Sequence, residues 1–183
     1  MKRSTLILLA LVVVVGVAGW FYFRPGEDRL AIDLIKEFPT AMERRPNPDV
    51  FEVIDATING ETKRAIFTKE TTRIKWKITV PDNAWLRVSL GLKEEAWTAQ
   101  NGDGVRFSLF MSDGQGSLDT LQDITLNPAA NPNDRKWNDL LIDLTQYAGE
   151  SMELIFKTNA SSGNANNQIG DLALIGAPRI VVR

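Results

Sequence analysis

The residue types that the chain lacks limit its chemistry most. Its 183 residues include no histidine and no cysteine. A Ser-His-Asp or Cys-His nucleophile, a zinc site built on these ligands and a disulfide are therefore excluded. The motif G-x-S-x-G and a phosphate-binding glycine loop do not occur, and Glu94 and Glu95 are adjacent, so on a strand they would point to opposite faces. The sequence predicts no catalytic residues, no cofactor and no enzyme activity.

Oxygen and aromatic side chains leave two binding chemistries open. A glycan site needs an exposed aromatic ring with amides and carboxylates close by, and one loop supplies these types as Trp97, Gln100, Asn101 and Asp103. The alternative for Trp97 is a ring buried between two sheets. A calcium site is the second option, since hard oxygen ligands recur along the chain. These are Asp103, Asp113, Asp119, Asp123 and Asp171. Their spacing matches no EF-hand, so turn-forming aspartates and no metal are expected.

An uncharged apolar segment at the amino terminus is the strongest targeting signal. The residues from Thr5 to Phe23 carry no charge, and about 19 residues of helix span about 28 Å, close to the thickness of the bilayer core. Trp20, Phe21 and Tyr22 would lie at the headgroup level, and Gly16 and Gly19 would allow close packing of helices. We predict a single-pass signal anchor over residues 1–24, with a cleaved signal peptide as the alternative.

The predicted anchor sets the location and the partners. Lys2 and Arg3 precede it, which favours a cytoplasmic amino terminus and a periplasmic or other extracytoplasmic carboxyl domain at the inner, or cell, membrane. The bilayer and integral membrane protein subunits are then expected partners, with carbohydrate as a further one. The chain has 21 basic and 23 acidic residues, interleaved, so no basic surface for nucleic acid is expected.

The segment after the anchor shows a helical period. Leu30, Leu34, Ile35 and Phe38 share one helical stripe, so we predict a short amphipathic juxtamembrane helix with Asp28 as its N-cap. Pro39 would end it, and the residues from Glu43 to Pro48 would form an extended spacer. Residues 25–49 are thus predicted to be a juxtamembrane helix and a linker.

From residue 50 onward the period changes to two. In the segment from Arg73 to Val80, Ile74, Trp76 and Ile78 alternate with charged residues, as in a half-buried antiparallel strand. Asn59-Gly60 between two such runs predicts a type I′ hairpin. About nine short strands, the last two being LALIG and PRIVV, predict an all-β jelly-roll sandwich over residues 50–183.

Four sequence blocks resemble one family of β-sandwich domains. They are Gly102-Asp103-Gly104-Val105-Arg106-Phe107, Asp134-Arg135-Lys136-Trp137, Asp143-Leu144-Thr145-Gln146-Tyr147-Ala148-Gly149 and Gly176-Ala177-Pro178-Arg179-Ile180. Their order over residues 85–183 resembles the galactose-binding-like, or carbohydrate-binding-module-like, jelly-roll domains of bacterial membrane-attached and cell-surface proteins. Ile175 stands where that family often has Trp. Independently of the resemblance, Asp143 is expected to accept turn amides, Gly149 to take a positive φ, and Trp137 to be a core or edge-sealing ring.

Two functions follow from these features. The first is a non-catalytic accessory or structural subunit of a larger membrane complex, such as an energy-transducing or photosynthetic assembly. The alternative is a surface-tethered glycan or cell-wall binding module, which the resemblance implies and for which Trp97 with its polar neighbours would form the site.

Overall fold

The structure is a computed structural model that describes residues 28–69, 71–98, 104–160 and 172–183. The predicted anchor, residues 1–24 with Gly16, Gly19, Trp20, Phe21 and Tyr22, lies outside the described residues. No helix within the described ranges is long and apolar enough to cross a membrane. Eleven strands occur in these ranges. They are β1 (Arg29–Asp33), β2 (Glu43–Arg45), β3 (Phe51–Ile58), β4 (Glu61–Thr68), β5 (Thr72–Thr79), β6 (Ala84–Leu92), β7 (Val105–Ser112), β8 (Leu118–Leu126), β9 (Asn138–Asp143), β10 (Ser151–Ala160) and β11 (Ala173–Val182).

The strands form two antiparallel sheets packed face to face. Sheet A has the order β3-β4-β11-β6-β9, with β1 also paired to β11, and sheet B has the order β2-β5-β10-β7-β8. The main core lies between them, where Trp76 packs edge-on against Phe156 with ring centroids 5.2 Å apart. The predicted all-β jelly-roll sandwich is confirmed, and its strand alternation decides which residues fill this core.

The hairpin and the turn chemistry agree with the sequence. Asn59 and Gly60 have φ angles of 49° and 81°, as a type I′ turn between β3 and β4 requires. The Asp143 carboxylate accepts the Thr145 amide at 2.8 Å, and Gly149 has a φ of 79°. Backbone hydrogen bonding within a short turn is a local property, which is why these features could be predicted.

The predicted juxtamembrane helix is wrong. Residues Arg29–Asp33 form β1, which pairs with β11, and the chain then turns into a 3-10 segment at Phe38–Thr40. Asp28 forms ion pairs with Arg87 and Arg183 instead of capping a helix. The free edge of β11 satisfies the backbone of this segment, and a local helical period carries no information about a sheet edge more than a hundred residues away.

The predicted spacer is also wrong in part. Glu43–Arg45 is β2, which pairs with β5 in sheet B. Lys75 of β5 reaches both Glu43, at 3.9 Å, and Glu153, at 2.7 Å. The segment between β1 and β2 therefore passes from one sheet to the other, and the sandwich includes strands that precede residue 50.

The two predicted closing strands are one strand. Residues Ala173–Val182 pair with β6 throughout, but the register shifts between Gly176 and Arg179. Two residues, Ala177 and Pro178, stand opposite Val88 alone, which defines a β-bulge. Gly176 and Pro178, at the junction of the LALIG and PRIVV segments, mark this bulge.

Candidate functional site

The edge of β11 is shared by two strands that meet at the bulge. The residues Ala173 to Gly176 pair with β4, whereas Arg179 to Val182 pair with β1. The bulge lies between these two stretches, and its residue Ala177 has a φ of 42°. A positive φ in a residue other than glycine is strained, and such positions often lie at functional sites. The surface beside the bulge is therefore a candidate functional site.

A polar cleft opens on the outer face of sheet A at this point. It has a volume of about 270 Å³, near the lower end for ligand pockets, which suits a small ligand or one unit of a longer one. We call it the bulge cleft. Its lining consists of Glu61, Lys63, Arg87, Val88, Ser89, Asp139, Leu140, Ala177 and Arg179.

Three side chains are joined by hydrogen bonds in the bulge cleft. The Lys63 ammonium donates to Ser89 Oγ at 2.8 Å and to Asp139 Oδ1 at 2.6 Å, and Ser89 Oγ donates to the same Oδ1 at 2.5 Å. The Lys63 side chain is 15% exposed and that of Asp139 is 69% exposed. Asp139 Oδ2 has no hydrogen bond within the described part of the chain, so it can accept a ligand hydroxyl.

The electrostatics keep Asp139 ionised. Desolvation is the largest single influence and raises the pKa of Asp139. The hydrogen bonds from Lys63 and Ser89, together with the positive charges of Lys63 and Arg87, outweigh it, so the pKa lies below its ordinary value. Asp139 is therefore an acceptor at neutral pH and a poor proton donor.

Trp137 supports the bulge cleft from the side. It is 5% exposed, and its Nε1 donates to the Glu61 carbonyl at 2.9 Å. A Cβ built on Gly176 would lie 2.7 Å from its Cζ3, so the glycine leaves room for the ring. The Lys63 ammonium stands 5.5 Å from its ring centroid. Trp137 is thus a buried ring of the small apolar cluster on the outer face of sheet A, in agreement with the prediction of a core ring.

The predicted Trp97 site is described only in part, because Gln100, Asn101 and Asp103 lie outside the described residues. Trp97 is half-buried and packs against a small apolar cluster that includes Phe67 and Trp137, outside sheet A rather than between the sheets. The guanidinium of Arg135 lies 5.8 Å from its ring centroid. A sugar stacking on that face would have to displace Arg135. The glycan platform at Trp97 stays a prediction.

The candidate calcium ligands have other roles where they are described. Asp113 Oδ1 accepts three successive turn amides, Asp119 accepts the hydroxyl of Tyr147, and Asp123 pairs with Arg106. Asp103 and Asp171 lie outside the described residues. Within the described ranges no three acidic side chains are grouped for a metal ion.

Most residues of the bulge cleft were not identified from the sequence. Lys63, Ser89 and Asp139 lie on three strands and become neighbours only in the sheet. The available signals were a serine among the apolar residues of β6 and the Gly-Ala-Pro sequence in a closing strand. Ile175, which stands where the resembled family often has Trp, is buried in the main core.

No family model matches the chain. An uncharacterized protein of Archaeoglobus fulgidus is 38% identical over 130 residues, which is 71% of this chain and 30% of the relative. The chain thus matches less than a third of that relative's length.

Solved structures match the fold. A CBM51 module of Clostridium perfringens GH95, solved with methyl-galactose, superposes with a TM-score of 0.55 and 12% identity over 78% of this chain and 94% of that one. The ZmpB protein of the same organism was solved as an M60 catalytic domain with two CBM51 domains. It superposes with a TM-score of 0.55 and 11% identity over 78% of this chain and 14% of that one. A structure of its CBM51-2 domain in complex with GlcNAc, together with INT domains, superposes with a TM-score of 0.50 and 15% identity over 72% of this chain and 25% of that one.

These comparisons define the class of the fold. The described residues form a jelly-roll β-sandwich with the fold of these CBM51 modules, as the resemblance implied. At identities of 15% and below, the likeness concerns the fold.

Proposed function

We propose that this chain is a non-catalytic carbohydrate-binding module and that the bulge cleft is its ligand site. The observation that carries the proposal is a polar cleft beside a strained β-bulge on a fold whose solved neighbours include modules in complex with methyl-galactose and with GlcNAc. Sugar hydroxyls are bound by carboxylate and amide acceptors and by cationic donors, and Asp139, Lys63 and Ser89 provide such groups.

The test measures binding of the full-length protein to sugars in solution. Isothermal titration with galactose, GlcNAc and short oligosaccharides of each should give saturable binding to at least one of them. Asp139→Asn should weaken that binding about tenfold or more, which corresponds to about 1.4 kcal/mol, because a charged acceptor is replaced by a neutral one.

A matched control exists on the opposite sheet. Asp123 accepts bonds from Arg106 and from Ser108 Oγ, much as Asp139 does from Lys63 and Ser89, so Asp123→Asn should leave binding unchanged. Absence of binding to every sugar tested, or equal losses in the two variants, would contradict the proposal.

The predicted Trp97 platform provides a second arm of the same experiment. Because Arg135 lies over the Trp97 ring, we expect Trp97→Ala to weaken sugar binding less than Asp139→Asn does. If Trp97→Ala abolished sugar binding and Asp139→Asn left it unchanged, the sugar would bind at the predicted Trp97 loop and not in the bulge cleft.

We further propose that residues 1–24 tether the module to the outside of the cell membrane. The uncharged run from Thr5 to Phe23 supports this. The protein should remain in the membrane fraction after alkaline carbonate washing, and its carboxyl domain should be open to protease added outside the cytoplasm. A role as subunit of a larger membrane assembly stays a prediction, which native sizing after gentle detergent extraction would test.

A further inference from the structure

The bulge cleft contains two arginines placed directly opposite each other. Arg87 of β6 and Arg179 of β11 are cross-strand partners, and both side chains line the cleft. Like charges at directly opposed positions destabilise a sheet unless an anion lies near them. Arg87 has such an anion, because it forms an ion pair with Asp28.

Arg179 has no ion pair within the described part of the chain. The candidate carboxylates around it have other partners. Asp28 is shared between Arg87 and Arg183. Asp33, which is opposite Arg179 in β1, accepts the amides of Ile35 at 3.1 Å and Lys36 at 3.3 Å. Arg179 is nevertheless half-buried and lines the bulge cleft.

The two carboxylates that line the bulge cleft both lie beside Lys63. Lys63, Arg87 and Arg179 line it together with only two carboxylates, those of Glu61 and Asp139. Both carboxylates already contact the Lys63 ammonium, at 3.1 Å and 2.6 Å. The positive charge at Arg179 is therefore the one that a ligand would meet.

We propose that the bulge cleft recognises an acidic sugar, a glycan residue that carries a carboxylate, and that Arg179 binds this carboxylate. The inference rests on the proposed carbohydrate-binding function and names its ligand class. A planar carboxylate matches the planar guanidinium fork with two parallel hydrogen bonds. Asp139 Oδ2, on the far side of the cleft from Arg179 across β6, accepts a ring hydroxyl of the same sugar. One cation and one acceptor at opposite walls fix the orientation of the ring.

The experiment compares probes that differ at C6 of the sugar, where only one of them carries a negative charge. The full-length protein is titrated with a galacturonic acid oligosaccharide, with its methyl ester and with the corresponding galactose oligosaccharide. The acid should bind at least tenfold more tightly than the ester, and added salt should weaken only the acid. Equal affinities for acid and ester, or an acid affinity that salt does not change, would overturn the inference.

Variants then assign the carboxylate to Arg179. Arg179→Gln should abolish the preference for the acid, so that the acid and its methyl ester bind with equal affinity, and Arg179→Lys should keep part of the preference. Lys157→Gln removes one positive charge from the exposed side of β10 in sheet B and should leave the preference intact. A preference that survives in Arg179→Gln contradicts the assignment.

Two outcomes separate this inference from the proposed function. If the neutral sugar binds and the acid is not preferred, the inference of an acidic ligand is overturned, whereas the proposed carbohydrate-binding function is supported. Binding of no sugar at all overturns both. A sulfated galactose oligosaccharide that binds as tightly as the carboxylated one would contradict selection of a planar carboxylate.

Discussion

Lys63 Nζ lies 2.6 Å from Asp139 Oδ1 although their strands are separated by two others. Lys63 is on β4 and Asp139 on β9, so the lysine crosses β11 and β6 over the outer face of sheet A. Ser89 on β6 lies along this path and donates to the same Asp139 oxygen at 2.5 Å. The contact therefore joins both sides of the bulge cleft.

Acid should remove the stabilising effect of Asp139. Because its pKa is lower in the folded protein than in the unfolded chain, the ionised carboxylate stabilises the fold above the unfolded value, about 3.9, and this contribution is lost as pH falls through the lower folded value. The Asp139 side chain is largely open to solvent, so the effect should not exceed about 1 kcal/mol. Urea unfolding of wild type and Asp139→Asn across this pH range measures it.

The pH dependence of the difference between wild type and Asp139→Asn tests this prediction. The free energies of unfolding of the two proteins should differ at neutral pH and converge in acid. A difference that stays constant down to the lowest pH at which the protein folds would show that Asp139 does not have a depressed pKa.

Adding a methyl group at Gly176 should destabilise the fold through Trp137. The Cβ would lie 2.7 Å from Trp137 Cζ3 and 3.1 Å from its Cη2, so the ring must move. Overpacking of this kind costs about 1–3 kcal/mol. The free energies of unfolding of Gly176→Ala, Trp137→Phe and the double variant form a cycle. We expect a smaller cost of Gly176→Ala in the Trp137→Phe background, where the ring is smaller, and simple additivity would contradict this contact.

The backbone at Ala177 should reject β-branched side chains. Its φ of 42° is compatible with alanine but strongly unfavourable for valine. Ala177→Val should therefore lower stability by more than about 1 kcal/mol and weaken sugar binding, because the bulge shapes the cleft. Ala130→Val, at an exposed turn residue without a positive φ, is the control and should have little effect. Thermal unfolding and titration measure both; equal behaviour would argue against a functional bulge.

Tyr147 should ionise only at very high pH. Burial, followed by the hydrogen bond to Asp119 and the charge of that carboxylate, raises the pKa of Tyr147 to about 12. Because the folded value is raised, the neutral phenol stabilises the fold fully below the unfolded value, about 10, and this contribution is lost as pH rises through the folded one. Ultraviolet titration of wild type and Tyr147→Phe isolates this group.

The same variant tests the contact thermodynamically. Tyr147 Oη donates to Asp119 Oδ2 at 3.0 Å, so Tyr147→Phe should lower the free energy of unfolding at neutral pH by about 1 kcal/mol. An unchanged stability together with an ordinary tyrosine pKa would show that the hydrogen bond between Tyr147 and Asp119 does not form.

The sequence alone determined those parts of the fold that depend on neighbouring residues. Ile74, Trp76 and Ile78 are buried because side chains alternate along any strand. Asn59 and Gly60 adopt positive φ because they are the residues that tolerate it best. The four motif blocks indicated the jelly-roll, and the absence of histidine and cysteine excluded whole classes of chemistry. Apart from what the four blocks indicated, which rests on their resemblance to a known family, each conclusion rests on composition or on spacing within a few residues.

The tertiary structure decided which distant residues meet. Leu34 and Phe38 are buried as an amphipathic helix would require, yet they lie in a turn and a 3-10 segment that follow β1, because the free edge of β11 holds the preceding residues as a strand. Likewise Lys63, Asp139 and Arg179 lie on β4, β9 and β11, and neither their spacing nor their type relates them. Only strand order and register, which are set by burial of the whole sheet against its partner, place these charges around one cleft.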